Sequence, residues 1–277
     1  MAHRPDTLEH APLGRDTAYP EQYTPTLLYP IPRAANREPL GIVESALPFV
    51  GEDEWHAFEV SWLNARGKPI VAVARFRLPA NSPNLIESKS WKLYLNSFNQ
   101  SRFYSRQEVM ETLANDLAVA AGAEVSVELF DVDDSELAAQ QLPGECLDGL
   151  DIAVSDYTPS SEHLVVGNEI VEETLYSHLL KSNCPVTGQP DWGSVLIRYQ
   201  GPKLDREGLL RYLIGFRQHQ DFHEHCVEHI FTDLMTYAKP TQLLVLARYV
   251  RRGGLDISPW RATPGLTPPT PLRLARQ

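Results

Sequence analysis

The chain has 277 residues, with 25 Lys or Arg and 36 Asp or Glu, so its formal net charge is −11. This acidic balance argues against a binder of nucleic acid, which needs a basic surface. The sequence has no run of about 18 apolar residues and no apolar signal-peptide core in its first ten residues, which predicts a protein outside the membrane and the secretory route. Three cysteines in such a chain predict free thiols in the reducing cytoplasm.

Proline punctuates the beginning of the chain, and eight prolines within residues 1–50 predict an extended arm without regular structure. Three strand patterns follow, in residues 58–63, 70–78 and 86–95. Ser105 and Glu108 form a capping box that predicts a helix, which Gly122 ends. Alternating apolar residues at 125, 127 and 129 predict a further strand.

The acidic segment 131–151 lacks periodicity and predicts a boundary between two modules, residues 1–150 and 151–277. Beyond it, strand patterns occupy residues 165–180, 194–200 and 243–250, and helical patterns begin at Asp205 and near residue 223. The Pro- and Thr-rich residues 262–277 predict a loose tail. Each half therefore combines strands and helices in an order that favours an α+β class with antiparallel sheets and helices on one face.

Cys184 lies in a turn-rich segment directly after a predicted strand, and such loops often display reactive side chains. A compact loop would bring the carboxyl of Asp191, seven residues on, near the sulfur, which suggests a thiolate nucleophile with a neighbouring acid. The structural alternative is a small buried cysteine in a turn with a capping aspartate, and the spacing alone favours it. Cys146 in its acidic segment is a poor nucleophile, and Cys226 fits the interior of a helix.

Histidines gather in residues 219–229, where His225-Cys-Val-Glu-His229 matches the H-x-x-E-H pattern of inverted zinc peptidases. Two histidines four residues apart share one face of a helix. However, no glutamate follows Glu228 in the sequence to serve as the third ligand. The pattern therefore favours solvated or hydrogen-bonded histidines on a polar helix near an active-site mouth, and we predict no metal.

The sequence contains neither a G-x-G-x-x-G fingerprint nor a P-loop, so a nucleotide would need another binding device. Two short segments offer basic groups. An extended reading of residues 87–92 places Ser88, Ser90 and Lys92 on one side of a strand. The sequence Arg-Arg-Gly-Gly at 251–254 sets two guanidinium groups beside flexible backbone, which suits a phosphate. Taken alone, the first segment is more typical of a solvated strand face and the second of a strand end.

Four segments considered together resemble one family. They are residues 86–99 (IESKSWKLYLNSFN), 182–193 (SNCPVTGQPDWG), 222–229 (FHEHCVEH) and 251–261 (RRGGLDISPWR). These segments resemble the signature strand, nucleophile loop, substrate helix and cofactor motif of the NADPH-dependent 7-cyano-7-deazaguanine reductases, the nitrile reductases of the queuosine pathway. The resemblance is to the longer, two-module form of that family, and it does not cover the tail.

The resemblance implies tandem tunnelling-fold (T-fold) modules and a homodimer in the cytoplasm that acts on a free small base without nucleic acid. It implies that Cys184 is the nucleophile and Asp191 the acid. It implies two further groups of residues. The first contacts the substrate and comprises Ile86, Glu87, Ser88, Phe222, His223 and Glu224, and the second contacts NADPH and comprises Ser88, Lys89, Arg252 and Gly253.

The chemistry of the implied reaction sets its own requirements. Reducing a nitrile to a primary amine takes four electrons, hence two hydrides from two NADPH. In the family mechanism the Cys184 thiolate adds to the nitrile carbon while Asp191 protonates the nitrogen, giving a thioimidate. Asp191 must then stay protonated near neutral pH, which requires a raised pKa. Ionised carboxylates at Glu87 and Glu224 suit the N–H donors of a 7-deazaguanine ring, and Phe222 could stack on it.

Two other functions remain open at this stage. One is a zinc-dependent cyclohydrolase-like enzyme of the same fold that acts on a pterin or GTP and needs a zinc site with two cysteines and a histidine. The other is a non-catalytic module that binds a purine-like ligand. Without the resemblance, the residues favour an exposed strand carboxylate for Glu87 and an acid at the start of a helix for Glu224.

Overall fold

A computed structural model describes residues 19–268 and 273–277. The chain forms eleven named strands and five α-helices within these residues. The strands are β1 (Pro30–Pro32), β2 (Val50–Leu63), β3 (Pro69–Pro79), β4 (Asn84–Ile86), β5 (Ser126–Phe130), β6 (Glu145–Cys146), β7 (Val166–Ser177), β8 (Lys181–Asn183), β9 (Pro190–Leu204), β10 (Gln242–Tyr249) and β11 (Leu255–Ala262). The helices are α1 (Ala34–Arg37), α2 (Ser88–Asn96), α3 (Arg106–Ala121), α4 (Arg206–Gly215) and α5 (His223–Asp233), and a π-helical turn (Leu234–Ala238) follows α5.

The chain divides into two compact units, each assembled from three segments that are not contiguous in the sequence. Among the described residues, unit 1 comprises 19–39, 52–138 and 251–256, and unit 2 comprises 40–51, 139–250, 257–268 and 273–277. The predicted boundary between modules 1–150 and 151–277 stays a prediction. Both units combine antiparallel strand pairs with helices, so the predicted α+β class is confirmed.

Unit 1 contains an antiparallel sheet in the order β5–β3–β2 and a small pair of β1 with β4. The pairing of β1 contradicts the prediction that the proline-rich arm lacks regular structure, at least for residues 19–50, where short 3-10 turns also occur. Proline is compatible with edge strands and with the first position of a helical turn, and Pro25 begins one such turn. Residues 1–18 of the predicted arm lie outside the described residues.

The predicted strand at residues 86–95 is wrong beyond Ile86, because residues 88–96 form helix α2. The alternation of Trp91, Leu93 and Leu95 suggests a strand, but the spacing of Trp91, Tyr94, Leu95 and Phe98 is helical. The Trp91 indole stacks on Trp55 with ring centroids 4.3 Å apart. Burial of this helical face therefore outweighs the strand-like alternation.

Helix α3 confirms the capping-box prediction, because the Ser105 hydroxyl accepts a hydrogen bond from the Glu108 N–H at 3.0 Å. Gly122 ends the helix with a left-handed φ of 71°. A Cβ at this position would lie 2.6 Å from the Pro83 ring, so both the backbone and the packing require glycine.

Unit 2 is built on a sheet in the order β11–β10–β9–β7–β6, with β8 paired to β9. Its named pairs are antiparallel except for the short parallel pair of β6 with β7. Helix α5 packs against β10 through its buried face, which contains Val227, Ile230 and Phe231. Helix α4 begins at the predicted cap, where the Asp205 carboxylate accepts a hydrogen bond from the Gly208 N–H at 2.7 Å.

The end of the chain is not a loose tail in residues 262–268 and 273–277. Ala262 completes β11, and Leu274 joins the apolar cluster of Leu196, Leu244 and Leu246. The Gln277 side chain donates hydrogen bonds to the Tyr249 carbonyl and the Ser258 hydroxyl. The prolines of this segment obscured its buried apolar positions in the sequence. Among the residues that the structure describes, no helix is long and apolar enough to cross a membrane.

Candidate functional site

Each unit carries some of the predicted site residues. Unit 1 holds Ile86, Glu87, Ser88, Lys89, Arg252 and Gly253, and unit 2 holds Cys184, Asp191, Phe222, His223 and Glu224. The two sets are built from different elements, and local structure explains how each set is positioned.

The predicted nucleophile and acid of unit 2 share one hairpin. The Cys184 N–H donates to the Gln189 carbonyl at 2.8 Å, and the Gly188 N–H donates to the Cys184 carbonyl at 3.0 Å. In the pairing of β8 with β9, Asp191 lies opposite Ser182. The side chains of Cys184 and Asp191 are only 4% and 5% exposed. The hairpin therefore fixes a thiol and a carboxyl close together in sequence and largely out of solvent.

The segment ahead of α5 is fastened to the strand that carries the nucleophile. The Asn183 N–H donates to the His219 carbonyl at 2.8 Å, and the Asp221 N–H donates back to the Asn183 carbonyl at 3.0 Å. The Lys181 ammonium donates to the Asn183 side-chain oxygen at 2.6 Å and to the Arg217 carbonyl at 2.7 Å. Asn183 immediately precedes Cys184, so these contacts fix the beginning of α5 relative to the thiol.

Asp221 organises the first turn of α5, and sequence reasoning missed it. Its carboxylate accepts hydrogen bonds from the Phe222 N–H at 2.8 Å and from His219 Nε2 at 3.2 Å, and it also pairs with His225 Nδ1. Burial opposes ionisation of this carboxyl, but the two imidazoles outweigh it and lower the pKa of Asp221 to about 2. The available signal was the i, i+4 relation of Asp221 to His225 just before a predicted helix.

The first turn of α5 contains the substrate residues that the resemblance implies. Phe222 is the N-cap residue, and Glu224 is buried in the first turn. His223 Nε2 lies 3.6 Å from Asp191 Oδ1, so the structure brings this predicted ring contact next to the predicted acid. Sequence spacing gave no indication of that proximity, since the two residues belong to separate elements.

The histidine-rich run is held by carboxylates rather than arranged around a metal. His225 pairs with Asp221, and His229 Nε2 lies 3.3 Å from the Asp233 carboxylate. Glu228 accepts hydrogen bonds from the buried Arg261 guanidinium at 2.9 and 3.0 Å. Within residues 19–268 and 273–277, no group of three or more His, Cys, Asp and Glu side chains could hold a metal ion.

Glu87 in unit 1 is a buried helix cap, not an exposed strand carboxylate. Its two oxygens accept hydrogen bonds from the Lys89 and Ser90 N–H groups at 2.6 and 2.8 Å. Burial raises the pKa of Glu87, although these hydrogen bonds and the nearby Lys92 and Lys89 charges act against it. A carboxylate has about four lone-pair sites, so two backbone bonds leave acceptor capacity for a ligand.

The neighbours of Glu87 lie at the junction of β4 and α2. Ile86 ends β4 and is buried, and Ser88 and Lys89 form the first turn of α2. The predicted strand face of Ser88, Ser90 and Lys92 is therefore wrong. Ser90 instead turns inward, where its hydroxyl donates to the Glu87 carbonyl at 2.7 Å.

The Arg-Arg-Gly-Gly segment forms a tight turn in unit 1. The Arg252 N–H donates to the Leu255 carbonyl at 2.8 Å, and Gly253 and Gly254 have φ values of 60° and 80°. These left-handed conformations favour glycine. A Cβ at Gly253 would lie 3.2 Å from Lys92 Cδ, so the turn approaches α2 closely. Beside it lies a cavity of about 170 Å³, lined in part by Lys92, Asn96, Gly253 and Gly254.

Comparison with known proteins defines the class to which this architecture belongs. Residues 19–129 match the family described as nitrile reductase, 7-cyano-7-deazaguanine-reductase N-term, and residues 190–265 match the QueF-like protein family. A relative from Chromohalobacter salexigens is 73% identical over the whole of both chains. A relative from Chromobacterium violaceum is 57% identical over 98% of each chain. Both are named NADPH-dependent 7-cyano-7-deazaguanine reductase.

The class is therefore that of the oxidoreductases that act on nitriles. The chain belongs to the NADPH-dependent 7-cyano-7-deazaguanine reductase family, as the sequence resemblance implies. A relative of the same name from Bordetella avium is 56% identical over 98% of this chain and 99% of its own. The apo crystal structure of an archaeosine synthase QueF-Like covers 36% of this chain at 16% identity with a TM-score of 0.31, a likeness that adds nothing to the assignment.

Proposed function

We propose that this chain reduces the nitrile of 7-cyano-7-deazaguanine to the aminomethyl group of 7-aminomethyl-7-deazaguanine, with two NADPH as hydride donors, in tRNA queuosine biosynthesis. The observation that carries the proposal is the hairpin of unit 2, which holds the Cys184 thiol and the Asp191 carboxyl beside the beginning of α5. Membership of the reductase family supports the reaction and the cosubstrate.

The first chemical step is addition of Cys184 to the nitrile. The thiolate sulfur forms a bond to the nitrile carbon, and one C–N π bond gives its electrons to nitrogen. Asp191 donates its proton to that nitrogen, because an unprotonated nitrogen anion would be too high in energy. The product is a thioimidate on Cys184. His223, at 3.6 Å from Asp191, is suited to orient the carboxyl during this transfer.

The remaining steps account for four electrons. A first hydride from NADPH adds to the thioimidate carbon, and a proton on nitrogen gives a thiohemiaminal. Breaking the C–S bond returns the electron pair to sulfur, which regenerates Cys184 and leaves an imine. A second hydride and a further proton convert the imine to the primary amine. The protein supplies orientation and protons, while NADPH supplies the hydrides.

The substrate ring and the dinucleotide need different recognition groups. We assign the ring N–H donors to the acceptor oxygens of Glu87 and Glu224, stacking to Phe222, and further ring contacts to Ile86, Ser88 and His223. NADPH contacts are assigned to Ser88, Lys89, Arg252 and Gly253. The proximity of Gly253 to Lys92 supports this second assignment, since it joins two basic segments around one small cavity.

The assembly and the location follow from the family resemblance. We propose a homodimer of T-fold modules in the cytoplasm that takes the free base rather than tRNA. The net charge of −11 supports the absence of nucleic acid at this step, because a polyanion would be repelled. Light scattering on the purified chain tests the dimer.

The reaction is tested by NADPH absorbance after addition of 7-cyano-7-deazaguanine to protein treated with a chelator. We expect loss of two NADPH per nitrile, and no loss with Cys184→Ala. Cys146→Ala is the matched control, because the exposed thiol of Cys146 lies outside the proposed site and its removal should leave turnover unchanged.

Other outcomes separate the alternatives. Turnover by Cys184→Ala would overturn the covalent mechanism. Binding of the base without NADPH consumption would favour a non-catalytic binding module. Loss of activity on chelation would favour the metal-dependent enzyme class.

A further inference from the structure

Tyr249 is a fully buried residue that the proposed reaction does not use. It ends β10 and is 1% exposed. Its ring meets the His223 imidazole edge-on, with centroids 4.1 Å apart and planes at 79°. The ring also lies against Gly193, its partner in the β9–β10 register, where a Cβ would be 3.2 Å from the ring. Tyr249 therefore packs between the backbone of β9 and the first turn of α5.

The contact with His223 bears on the proposed acid. His223 Nε2 lies 3.6 Å from Asp191 Oδ1, and its side chain is 15% exposed, so packing on other side chains limits the directions in which the imidazole can turn. An edge-on aromatic contact at this distance is a directional packing interaction. The Tyr249 ring thus restricts the imidazole to orientations near Asp191.

The ring of Tyr249, rather than its charge, is suited to this task. Burial raises the pKa of Tyr249 well above its ordinary value, and it does the same for the neighbouring thiol of Cys226. Both groups are therefore neutral at any pH at which the enzyme would be assayed. The edge of the neutral Tyr249 ring therefore orients His223 without adding a charge near Asp191.

We propose that Tyr249 is a positioning residue for the nitrile reaction, and that its ring holds His223 towards Asp191 and so sets the rate of proton delivery to the nitrile nitrogen. This inference rests on the proposed roles of Asp191 and His223. It predicts an effect on formation of the thioimidate and none on recognition of NADPH, which is assigned to residues of unit 1.

The test compares Tyr249→Phe with Tyr249→Leu. The rate of thioimidate formation is measured by absorbance after mixing enzyme with 7-cyano-7-deazaguanine in the absence of NADPH, and kcat and both KM values are measured in turnover. Phe keeps the ring and should stay within about threefold of the wild type. Leu loses the ring, and we expect an approximately 10- to 100-fold slower reaction, since a misplaced catalytic group costs rate more than binding. The KM for NADPH should stay within about twofold.

Gly193→Ala perturbs the same contact while Tyr249 stays in place. Its Cβ would lie 3.2 Å from the ring, so the ring must move by a few tenths of an ångström. We expect thioimidate formation to slow several-fold. This variant also decides the question if Tyr249→Leu fails to fold, which thermal unfolding would reveal.

Three results would overturn the inference. The first is a folded Tyr249→Leu variant with wild-type thioimidate formation. The second is a Tyr249→Phe variant as slow as the Leu variant, which would assign the effect to the hydroxyl. The third is an unaffected Gly193→Ala variant where Tyr249→Leu does not fold. Failure of the proposed function is a separate result, since the wild type would then form no thioimidate, Cys184→Ala would still reduce the nitrile, or Asp191→Ala would form thioimidate at an undiminished rate.

Discussion

A largely buried carboxylate accepts hydrogen bonds from backbone N–H groups at the beginning of α2 and also of α5. The two helices differ in what else that carboxylate binds. At α2 the Glu87 side chain is itself the cap and accepts two backbone N–H groups. At α5 the N-cap residue Phe222 makes no side-chain cap, and Asp221 ahead of it accepts one backbone N–H and two imidazole N–H groups. The carboxylate at α2 thus binds only backbone groups of its own helix among these contacts, whereas the carboxylate at α5 also binds two histidine side chains.

This difference shows why burial alone does not decide the charge of a carboxyl. Burial raises the pKa of Glu87 above its ordinary value of 4.5, because its backbone hydrogen bonds only partly offset desolvation. Burial also opposes ionisation of Asp221, but His219 and His225 lower its pKa to about 2. A carboxyl that is shifted upward can exchange a proton with its surroundings more readily than one held permanently as an anion.

The largest effect on stability is expected from Asp221→Asn. The pKa of Asp221 falls from 3.8 to about 2 on folding, which corresponds to roughly 2 kcal/mol of stability at neutral pH. We expect urea unfolding at pH 7 to show a loss of about this size. The KM for the nitrile should rise as well, because the first turn of α5 loses the carboxylate that pairs with His219 and His225. A variant with unchanged stability would contradict the role of the two imidazoles.

Glu87→Ala should cost about 1 kcal/mol, the usual effect of losing an N-cap. Ser105→Ala is a matched control, because it removes the cap of α3, which the reaction does not use. Both variants should lose similar stability in urea unfolding. Only Glu87→Ala should also raise the KM for 7-cyano-7-deazaguanine, by tenfold or more. An equal change in this KM in the two variants would show that Glu87 acts only as a helix cap.

The two carboxyls should also respond to pH with opposite signs. The lowered pKa of Asp221 contributes stability that is complete above pH 3.8 and is lost as the pH falls towards about 2. The raised pKa of Glu87 means that the folded state holds this proton more tightly, so stability is lost as the pH rises from 4.5 through the folded pKa.

Urea unfolding between pH 3 and 7 measures this contrast. The difference in stability between the wild type and Asp221→Asn should shrink below pH 4. As the pH rises above 4.5, the wild type should lose free energy of unfolding relative to Glu87→Gln. The same sign for both variants would show that one of the two pKa shifts is misassigned.

The smallest change in stability is expected from Glu87→Asp. Aspartate is a good N-cap, so α2 should lose less than about 0.5 kcal/mol. Its carboxylate is one methylene shorter, and its remaining acceptor sites would recede from a bound ring. We expect a several-fold higher KM for the nitrile with nearly wild-type unfolding. An unchanged KM would show that Glu87 does not contact the substrate.

Much of the fold could be predicted because local signals agreed with tertiary packing. The caps at Ser105 and Asp205, the end of α3 at Gly122, and the strand patterns within β3 and β9 lie where the sequence places them. Prediction failed at α2, where alternating apolar residues also fit a helical face. It failed again at residues 273–277, whose burial depends on partners distant in sequence.

The candidate site was predicted from short motifs, while its internal contacts were not. The residues of the hairpin and of the first turn of α5 could be singled out from resemblance. The proximity of His223 to Asp191, the network around Asp221 and the ring of Tyr249 arise from pairing between separate elements. No pattern within a single segment encodes such contacts.

The unequal burial of the three thiols gives the molecule a set of internal chemical reporters. Cys146 is exposed, Cys184 is nearly enclosed in its hairpin, and Cys226 is fully buried in α5. A thiol reagent should therefore modify Cys146 at once and Cys226 only when α5 separates from β10. Pulsed labelling on a Cys146→Ser background would then follow the opening of unit 2 at Cys226 and the protection of the hairpin by ligand at Cys184, without any introduced cysteine.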